Sequence, residues 1–383
     1  MTALNLALCA FAALMLALHL GSIALAAWRC RPVAAPPTPH DAPAVSVVRP
    51  LRGVESFSAQ TLEAALRLDW PAYETLFCVA DRDDPVIPLV QRALAAHPYV
   101  DARLLIGADN WTANPKLDNM TKGFREARHP LVVFADSNLL TPPDYLRRLH
   151  HAWTQGGPRI GVVTAPPIGA APQGFWAHVE CAMLNTWQTR VQYAVDTLGF
   201  GFAQGKTLMF RRADLDHGGF SALADEPAED AAATKLARRR GQSVRLVGPP
   251  FLQMLGPRSA GEVWSRHLRW ARLRRATFPL LFVPEALAGA APPALALAVA
   301  AGLAGWPVAP FVVAYLVAWY APEAALARLA RWPLDWRAPF AFLVRDLMLP
   351  ALWGAALSGR TIVWRGRDVA PARRKSSLRL LWR

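Results

Sequence analysis

The sequence predicts an α/β domain held between membrane segments, on three observations. Short β-branched or apolar runs alternate with helical patterns between residues 45 and 258. Long apolar runs flank that region on both sides. The positive charge gathers beside those apolar runs and leaves the α/β region close to neutral.

The chain has 383 residues, 42 Lys and Arg against 28 Asp and Glu, and a formal charge of +14. Hydrophobic residues make up 53% and charged residues 18%, below the roughly 25% usual for soluble domains. Such hydrophobicity excludes a disordered chain. Four cysteines exclude a disulfide scaffold. A basic, apolar chain is either a nucleic-acid binder or a membrane protein, and the placement of charge separates the two. Residues 266–275 hold five Arg and no acid, and residues 360–383 hold a net +7. Those two segments carry twelve of the fourteen net charges and lie beside apolar stretches, which is a topology signal. A nucleic-acid binder would instead interleave basic and exposed aromatic residues over its soluble domain, so no nucleic-acid partner is expected. Arg outnumbers Lys 37 to 5 amid abundant Ala, a composition that suggests a GC-rich bacterial genome.

Residues 1–28 read as an N-terminal transmembrane helix, because 1–27 carry no charged side chain. A cleaved signal peptide would open on a basic region and have a shorter apolar core. Arg29 and Arg31 place the C-terminal end of this segment in the cytoplasm, and 29–44 read as a linker rich in Pro and Ala. The C-terminal membrane segments are expected within 278–358, as two spans over 278–305 and 307–325 and a third segment at 338–358. That third segment carries Arg345 and Asp346, and a third full span would put the basic tail outside. A re-entrant or interfacial third segment, followed by a basic cytoplasmic tail over 359–383, satisfies the charge rule. A cytoplasmic body keeps Cys9, Cys30, Cys78 and Cys181 reduced, and the sequons at Asn110 and Asn119 then carry no weight.

Candidate strands are 45–49, 74–80, 102–106, 131–135, 160–164, 206–210 and 244–247. Candidate helices are 57–67, 86–97, 117–128, 143–154, 174–193 and 228–240. This alternation implies a mostly parallel sheet covered on both faces. Ligands of such sheets bind beyond the carboxyl ends of the strands, so acids at strand ends come first. Asp81 follows the strand at 74–80, and Asp136 follows the strand at 131–135 in the sequence Asp136-Ser137-Asn138. Carboxylate oxygens there suit Mg²⁺ or Mn²⁺, which also bind diphosphate oxygens. A helix N-cap is the plainer use of each Asp. Glu229 and Asp230 open a helix, as dipole compensation or as a general base at the mouth of a site.

Arg266, Arg269 and Trp270 lie in an expected amphipathic interface helix over 259–277. Snorkelling Arg and interfacial Trp at a membrane surface, and a phosphate-binding face, are both open to it. The segment 199–207 misses the Walker phosphate loop because position 200 is Phe where Gly is needed, and reads as a Gly-rich turn into a strand.

In order, Asp81, Asp136, Glu229-Asp230 and Arg266-x-x-Arg269-Trp270 resemble the D, D, D, (Q/R)xxRW series of the ceramide glucosyltransferase family, relatives of the inverting family 2 glycosyltransferases. The resemblance runs from about 45 to 367 and takes in Val45–Gly53, Cys78–Pro85, Asp101–Gly107, Asn114-Pro115-Lys116, Gln173-Gly174-Phe175 and Ile362–Arg367. It implies a GT-A nucleotide-sugar-binding domain over 45–258 on the cytoplasmic face of a bacterial inner membrane. Asp81 is then expected to hold the uracil or ribose of a UDP-sugar, and Asp136 a divalent cation on the diphosphate. Asp230 is the implied general base toward the acceptor hydroxyl, giving inversion to a β-glycoside. Arg266, Arg269 and Trp270 are the implied diphosphate and acceptor contacts, and Lys116 and Lys206 add positive charge near phosphate. The second motif lacks a closing acid at Asn138. The segment 185–190 (NTWQTR) departs from the His-containing segment of animal ceramide glucosyltransferases, which leaves the acceptor open between ceramide and a hopanoid. Three other readings stand beside this one. A processive polysaccharide synthase needs more spans for a secretion pore. A membrane-tethered nucleic-acid binder needs a basic middle region. A non-catalytic basic scaffold needs no acids at strand ends.

Overall fold

The computed structural model describes residues 2–359, 362–364 and 367–368. Most of the tail expected over 359–383, and part of the 362–367 motif, therefore lie outside the described residues. A helix α1 (Ala3–Cys30) opens the chain, its Thr2 hydroxyl capping the Asn5 N–H. After an irregular stretch the α/β region follows as β1 (Val45–Leu51), α2 (Ser58–Ala65), β2 (Tyr73–Val79), α3 (Ile87–Ala96), β3 (Ala102–Ile106), α4 (Pro115–Glu126), β4 (Leu131–Ala135), β5 (Leu139–Leu140), α5 (Tyr145–Gln155), β6 (Ile160–Thr164) and β7 (Pro167–Gln173). It continues with α6 (Phe175–Ala182), a π-helical stretch (Met183–Thr189), α7 (Arg190–Thr197), β8 (Thr207–Arg211), α8 (Arg212–Leu215), α9 (Glu229–Arg239), β9 (Ser243–Leu246) and β10 (Phe251–Pro257).

The main sheet has the strand order β3-β2-β1-β4-β8-β6-β9. Strands β1 to β4 are mutually parallel, β8 is antiparallel to both β4 and β6, and β9 is parallel to β6. The sheet is thus mixed, with one reversed strand in an otherwise parallel order. β1 is buried along its whole length, as a strand covered on both faces must be. Alternate β1 side chains serve the two cores. Val48 packs with Leu117, Met120 and Ala233 of α4 and α9, and Val47 with Tyr145 and Leu149 of α5. Chain order runs outward from β1 through β2 and β3 on one side and restarts at β4 on the other. A topological switch point therefore falls between β1 and β4, where open α/β sheets bind ligands.

A second sheet, β5-β10-β7, was not expected from the sequence. β7 is PIGAAPQ, a poor strand former by composition, and pairs with β10 over six registered positions. Tertiary pairing overrides its local preference. The helix expected over 174–193 is instead α6, a π stretch and α7 in succession, a π geometry common near functional sites.

The C-terminal region holds α10 (Ala260–Thr277), α11 (Pro279–Phe282), α12 (Ala291–Leu303), α13 (Val308–Leu329) and α14 (Ala338–Ser358). Ser259 and Glu262 form a reciprocal capping box that starts α10 one residue from the expected boundary. By length and composition α1, α13 and α14 can each cross a membrane. The stretch Pro279–Leu287 with α12 passes only as a pair bent by 42°, a broken span or re-entrant loop. Sequence patterning put the irregular segment at 338–358, whereas α14 is a continuous 21-residue helix and the bend falls before α12. Arg345 and Asp346 do not interrupt α14 because both are buried and paired. α1 joins the two regions. Its Ala12 packs with Tyr315 and Trp319 of α13, and its Ile23 and Ala26 pack with Ile168, Tyr193 and Leu246 of the sheet region. Arg29, read above as a topology signal, is fixed on Asp196 at 2.7 Å and on the Leu246 carbonyl at 2.7 Å.

Candidate active site

Four chain segments converge at the carboxyl ends of the central strands. The first is the loop after β4. Arg49 of β1, fully buried, donates to the carbonyls of Asp136 (3.0 Å), Ser137 (3.2 Å) and Leu139 (3.0 Å). A guanidinium with several fixed donors suits this task, and it pins the loop so that Asp136 projects at the switch point. Burial lowers its pKa to about 10, well within the charged range.

The second segment is the start of α4. Asn114 caps it, accepting from the Lys116 and Leu117 N–H groups at 2.9 and 3.2 Å, and Pro115 takes the first helical position, where its missing N–H costs nothing. This fixes Lys116 in the first turn. Its ammonium makes three short contacts, to Asp136 Oδ1 (2.6 Å), Glu229 Oε1 (2.7 Å) and the Gly205 carbonyl (2.6 Å). Three donors meet three acceptors, so Lys116 is fully engaged.

The third is the turn into β8. The Gly205 N–H donates to Asp230 Oδ2 at 3.0 Å while its carbonyl takes Lys116. A Cβ at Gly205 would lie 2.9 Å from Glu229 Oε1 and 3.3 Å from Lys116 Nζ, so only glycine lets the two carboxylates and the ammonium close around this backbone. Lys206, next along, reaches Asp136 Oδ2 at 2.8 Å and Asn138 Oδ1 at 3.2 Å. The Gly-rich segment 199–207 is thus a junction of the site and no Walker loop.

The fourth is the first turn of α9, with buried Glu229 and half-buried Asp230. Asn114 Nδ2 donates to Glu229 Oε2 at 2.9 Å, which joins α4 to α9. Burial pushes Asp230 up to about 6, and the neighbouring Glu229 carboxylate adds to the rise. Lys116 and the N–H groups of Gly205 and Ala231 oppose it. The opposite holds at Asp136, where Lys116 and Lys206 outweigh burial and keep the carboxyl well below the usual carboxylate range. Two acids in one site are therefore driven apart in pKa, the pattern that separates a proton acceptor from a permanently charged group.

Among the residues singled out from sequence, Asp136, Lys116, Lys206 and Asp230 meet in this cluster. Asp81 is exposed at the end of the adjacent β2, where it accepts from the Asp83 N–H at 3.1 Å. Its neighbour Asp84 ties that loop to the one after β1, taking the Gly53 N–H at 2.9 and 3.0 Å and the Val86 N–H at 2.9 Å. Arg266 stands elsewhere, in an ion pair with the buried Glu180 of α6, which also binds Arg258 at 3.0 Å. Arg269 is half-buried on the same helix. Trp270 packs with Cys181, Leu184 and Leu255. Arg275, from the same basic cluster, bonds the carbonyls of Leu357 and Gly359 at the end of α14. The cluster over 266–275, read above as a topology signal, thus also locks α10 to α6 and α14.

Sequence reasoning left Glu229 with a bland role and gave Arg49 none. The signal for Arg49 was an Arg inside an otherwise apolar strand run, VSVVRPL, where a buried charge requires partners. A cavity of about 280 Å³ adjoins the cluster, lined among others by Ser137, Asn138, Arg258 and Glu262. Among the described residues no three His, Cys, Asp or Glu side chains converge as a metal cage. Asp136 and the Asn138 amide oxygen nonetheless flank one position, marked by the Lys206 ammonium. A carboxylate, an amide oxygen and substrate phosphates form a donor set that suits Mg²⁺ or Mn²⁺, which use few protein ligands in phosphate sites.

A GT-A type sheet with acids and lysines at its switch point, joined to apolar helices long enough to span a bilayer, defines a membrane glycosyltransferase. The chain belongs to glycosyl transferase family 21, whose model matches residues 12–375. It is similar to ceramide glucosyltransferase 3 of Caenorhabditis elegans, with 28% identity over 84% of this chain and 72% of that protein. Ceramide glucosyltransferase 1 of the same organism is 29% identical over 84% of this chain and 70% of that protein. Among solved structures, a mannosyltransferase of Pyrobaculum calidifontis, in complex with GDP-mannose and Mn²⁺, covers 92% of this chain and 98% of its own at 20% identity and a TM-score of 0.48.

Proposed function

We propose that the protein moves a sugar, glucose or N-acetylglucosamine, from a UDP-sugar to the hydroxyl of a membrane lipid such as ceramide or a hopanoid, with inversion to a β-glycoside. The observation that carries this reading is Asp230. It is a half-buried carboxylate raised to about 6, held by the Gly205 N–H, beside a lysine-paired Asp136 at the switch point. A general base works best with a pKa near the working pH, and Asp230 takes the proton of the attacking hydroxyl. Asp81 meets the uridine from the end of β2. Lys116 and Lys206 stabilise the negative charge of the departing diphosphate. A divalent cation bound through Asp136, Mg²⁺ or Mn²⁺, would add Lewis-acid stabilisation of that leaving group. The family resemblance assigns Arg266, Arg269 and Trp270 on α10 to the acceptor side and the departing diphosphate, a role that the contacts of Arg266 and Trp270 with α6 and its surroundings do not by themselves support. The placement of Arg beside the apolar segments supports a cytoplasmic catalytic region, and the Arg-rich, Lys-poor composition supports a bacterial inner membrane. A lipid then presents its hydroxyl without leaving the bilayer.

Detergent-purified protein with Mg²⁺ or Mn²⁺ should convert at least one pairing of UDP-glucose, UDP-galactose or UDP-N-acetylglucosamine with ceramide, a polyol hopanoid or diacylglycerol. Mass spectrometry reads the product, and proton NMR of the anomeric position reads the inversion. Folded protein that yields no product from any pairing defeats the reading.

A further inference from the structure

The two lysines on Asp136 are held differently. Lys116 spends its three donors on Asp136, Glu229 and the Gly205 carbonyl. Among the described residues, Lys206 rests on Asp136 Oδ2 and Asn138 Oδ1 alone. Those two oxygens are the hard donors that a divalent cation would use at this loop. An ammonium and a divalent cation cannot share the gap, because like charges a few ångströms apart repel strongly where water is scarce. A cavity of about 280 Å³ opens beside Asn138, and a lysine stem is flexible enough to swing its ammonium off the two oxygens.

We propose that Lys206 is a built-in occupant of the cation position. Its ammonium fills the gap between Asp136 and Asn138 until cation and diphosphate arrive together, and it then turns onto the diphosphate. The inference rests on the donor and cation reading above. It predicts that the protein discriminates against free metal and takes up the cation chiefly with the nucleotide. It also explains why the loop can function with Asn138 where a second acid would stand. With Lys206 neutralising Asp136 in the resting site, a further carboxylate is not needed to hold the ammonium.

The test measures Mn²⁺ binding to the full-length protein in detergent, by electron paramagnetic resonance of free Mn²⁺, with and without UDP. Lys206→Met should bind Mn²⁺ at least about tenfold more tightly than the wild type when UDP is absent, since the competing charge is gone. UDP should tighten Mn²⁺ binding strongly in the wild type and only weakly in Lys206→Met. Lys206→Arg should keep the wild-type weakness, and Asp136→Asn should abolish binding in every background. Equal Mn²⁺ affinity in wild type and Lys206→Met without UDP overturns the role of Lys206 while leaving the cation reading intact. Failure of every form to bind Mn²⁺, even with UDP, overturns both.

Discussion

Two of the protein's buried ionic clusters are built from different cations. Between α1, α13 and α14 the cation is arginine. Arg345 donates to Glu323 at 2.7 and 3.1 Å, to Asp346 at 2.7 Å and to Thr186 at 2.6 Å, with both acids and the arginine almost wholly sealed from solvent. Asp346 is completed by the Ala290 N–H at 2.8 Å and the Tyr320 hydroxyl at 3.1 Å. At the strand ends the cations are lysines, 13 and 16% exposed, on an Asp136 that is 19% exposed. The chain has only five lysines against 37 arginines, yet two of the five meet at one carboxylate. A planar guanidinium fixes several partners in one geometry, whereas an ammonium on a flexible stem can exchange them. The membrane cluster is therefore built to stay closed, and the strand-end cluster to open toward a ligand.

The sharpest way to separate the two clusters is to remove one charge from each. Asp230→Asn should lower kcat by ~10²–10⁴-fold, the usual contribution of a positioned base. Its thermal midpoint in detergent should stay close to wild type, because Asn still accepts from the Gly205 N–H. Retained turnover in a folded Asp230→Asn protein removes Asp230 as the base. Arg345→Ala should do the reverse. Stranding Glu323 and Asp346 without their cation costs about 3–5 kcal/mol, a large part of the roughly 5–15 kcal/mol that holds a domain together. The expected result is a lowered melting temperature and poor recovery, read by thermal scanning fluorimetry. Replacing Arg345 and Glu323 together by Met and Leu should recover part of that loss. If Arg345→Ala melts with the wild type, the closed cluster is not a structural staple.

The contrast also marks what the sequence could reveal. Asp81 and Asp136 were legible as strand-end acids because a carboxylate directly after a buried apolar run is locally anomalous, and Asp230 only through the ordered family resemblance. The partners that give each acid its character were not. Glu229 meets Lys116 across more than a hundred residues of chain, and nothing local distinguishes it from an acid that merely compensates a helix dipole. Arg345 and Asp346 misled in the other direction. Charges in an apolar segment read as an interruption until their partner Glu323 on α13 is seen. β7 escaped notice because its Pro, Gly and Ala content hides a strand that exists only by pairing with β10. Periodicity reports one element at a time, and these features are properties of pairs.

The smallest expected effect tests how the open cluster tunes its base. Asp230 is raised to about 6 by burial and then by the adjacent Glu229 carboxylate. A base must be deprotonated to act, so kcat/KM should climb as pH rises through about 6 and level off above it. Glu229→Gln removes the neighbouring negative charge but leaves an amide able to meet Lys116. Asp230 then sheds its proton more readily, and the acid limb should move down by about one pH unit, equivalent to about 1.4 kcal/mol. At neutral pH the wild-type base is already mostly ionised, so kcat there should change only about twofold, through lowered basicity. An acid limb that stays near pH 6 in Glu229→Gln would show that burial alone sets the base. Glu229 would then be no more than an anchor for Lys116, and the strand-end cluster would resemble the membrane cluster more closely than its lysines suggest.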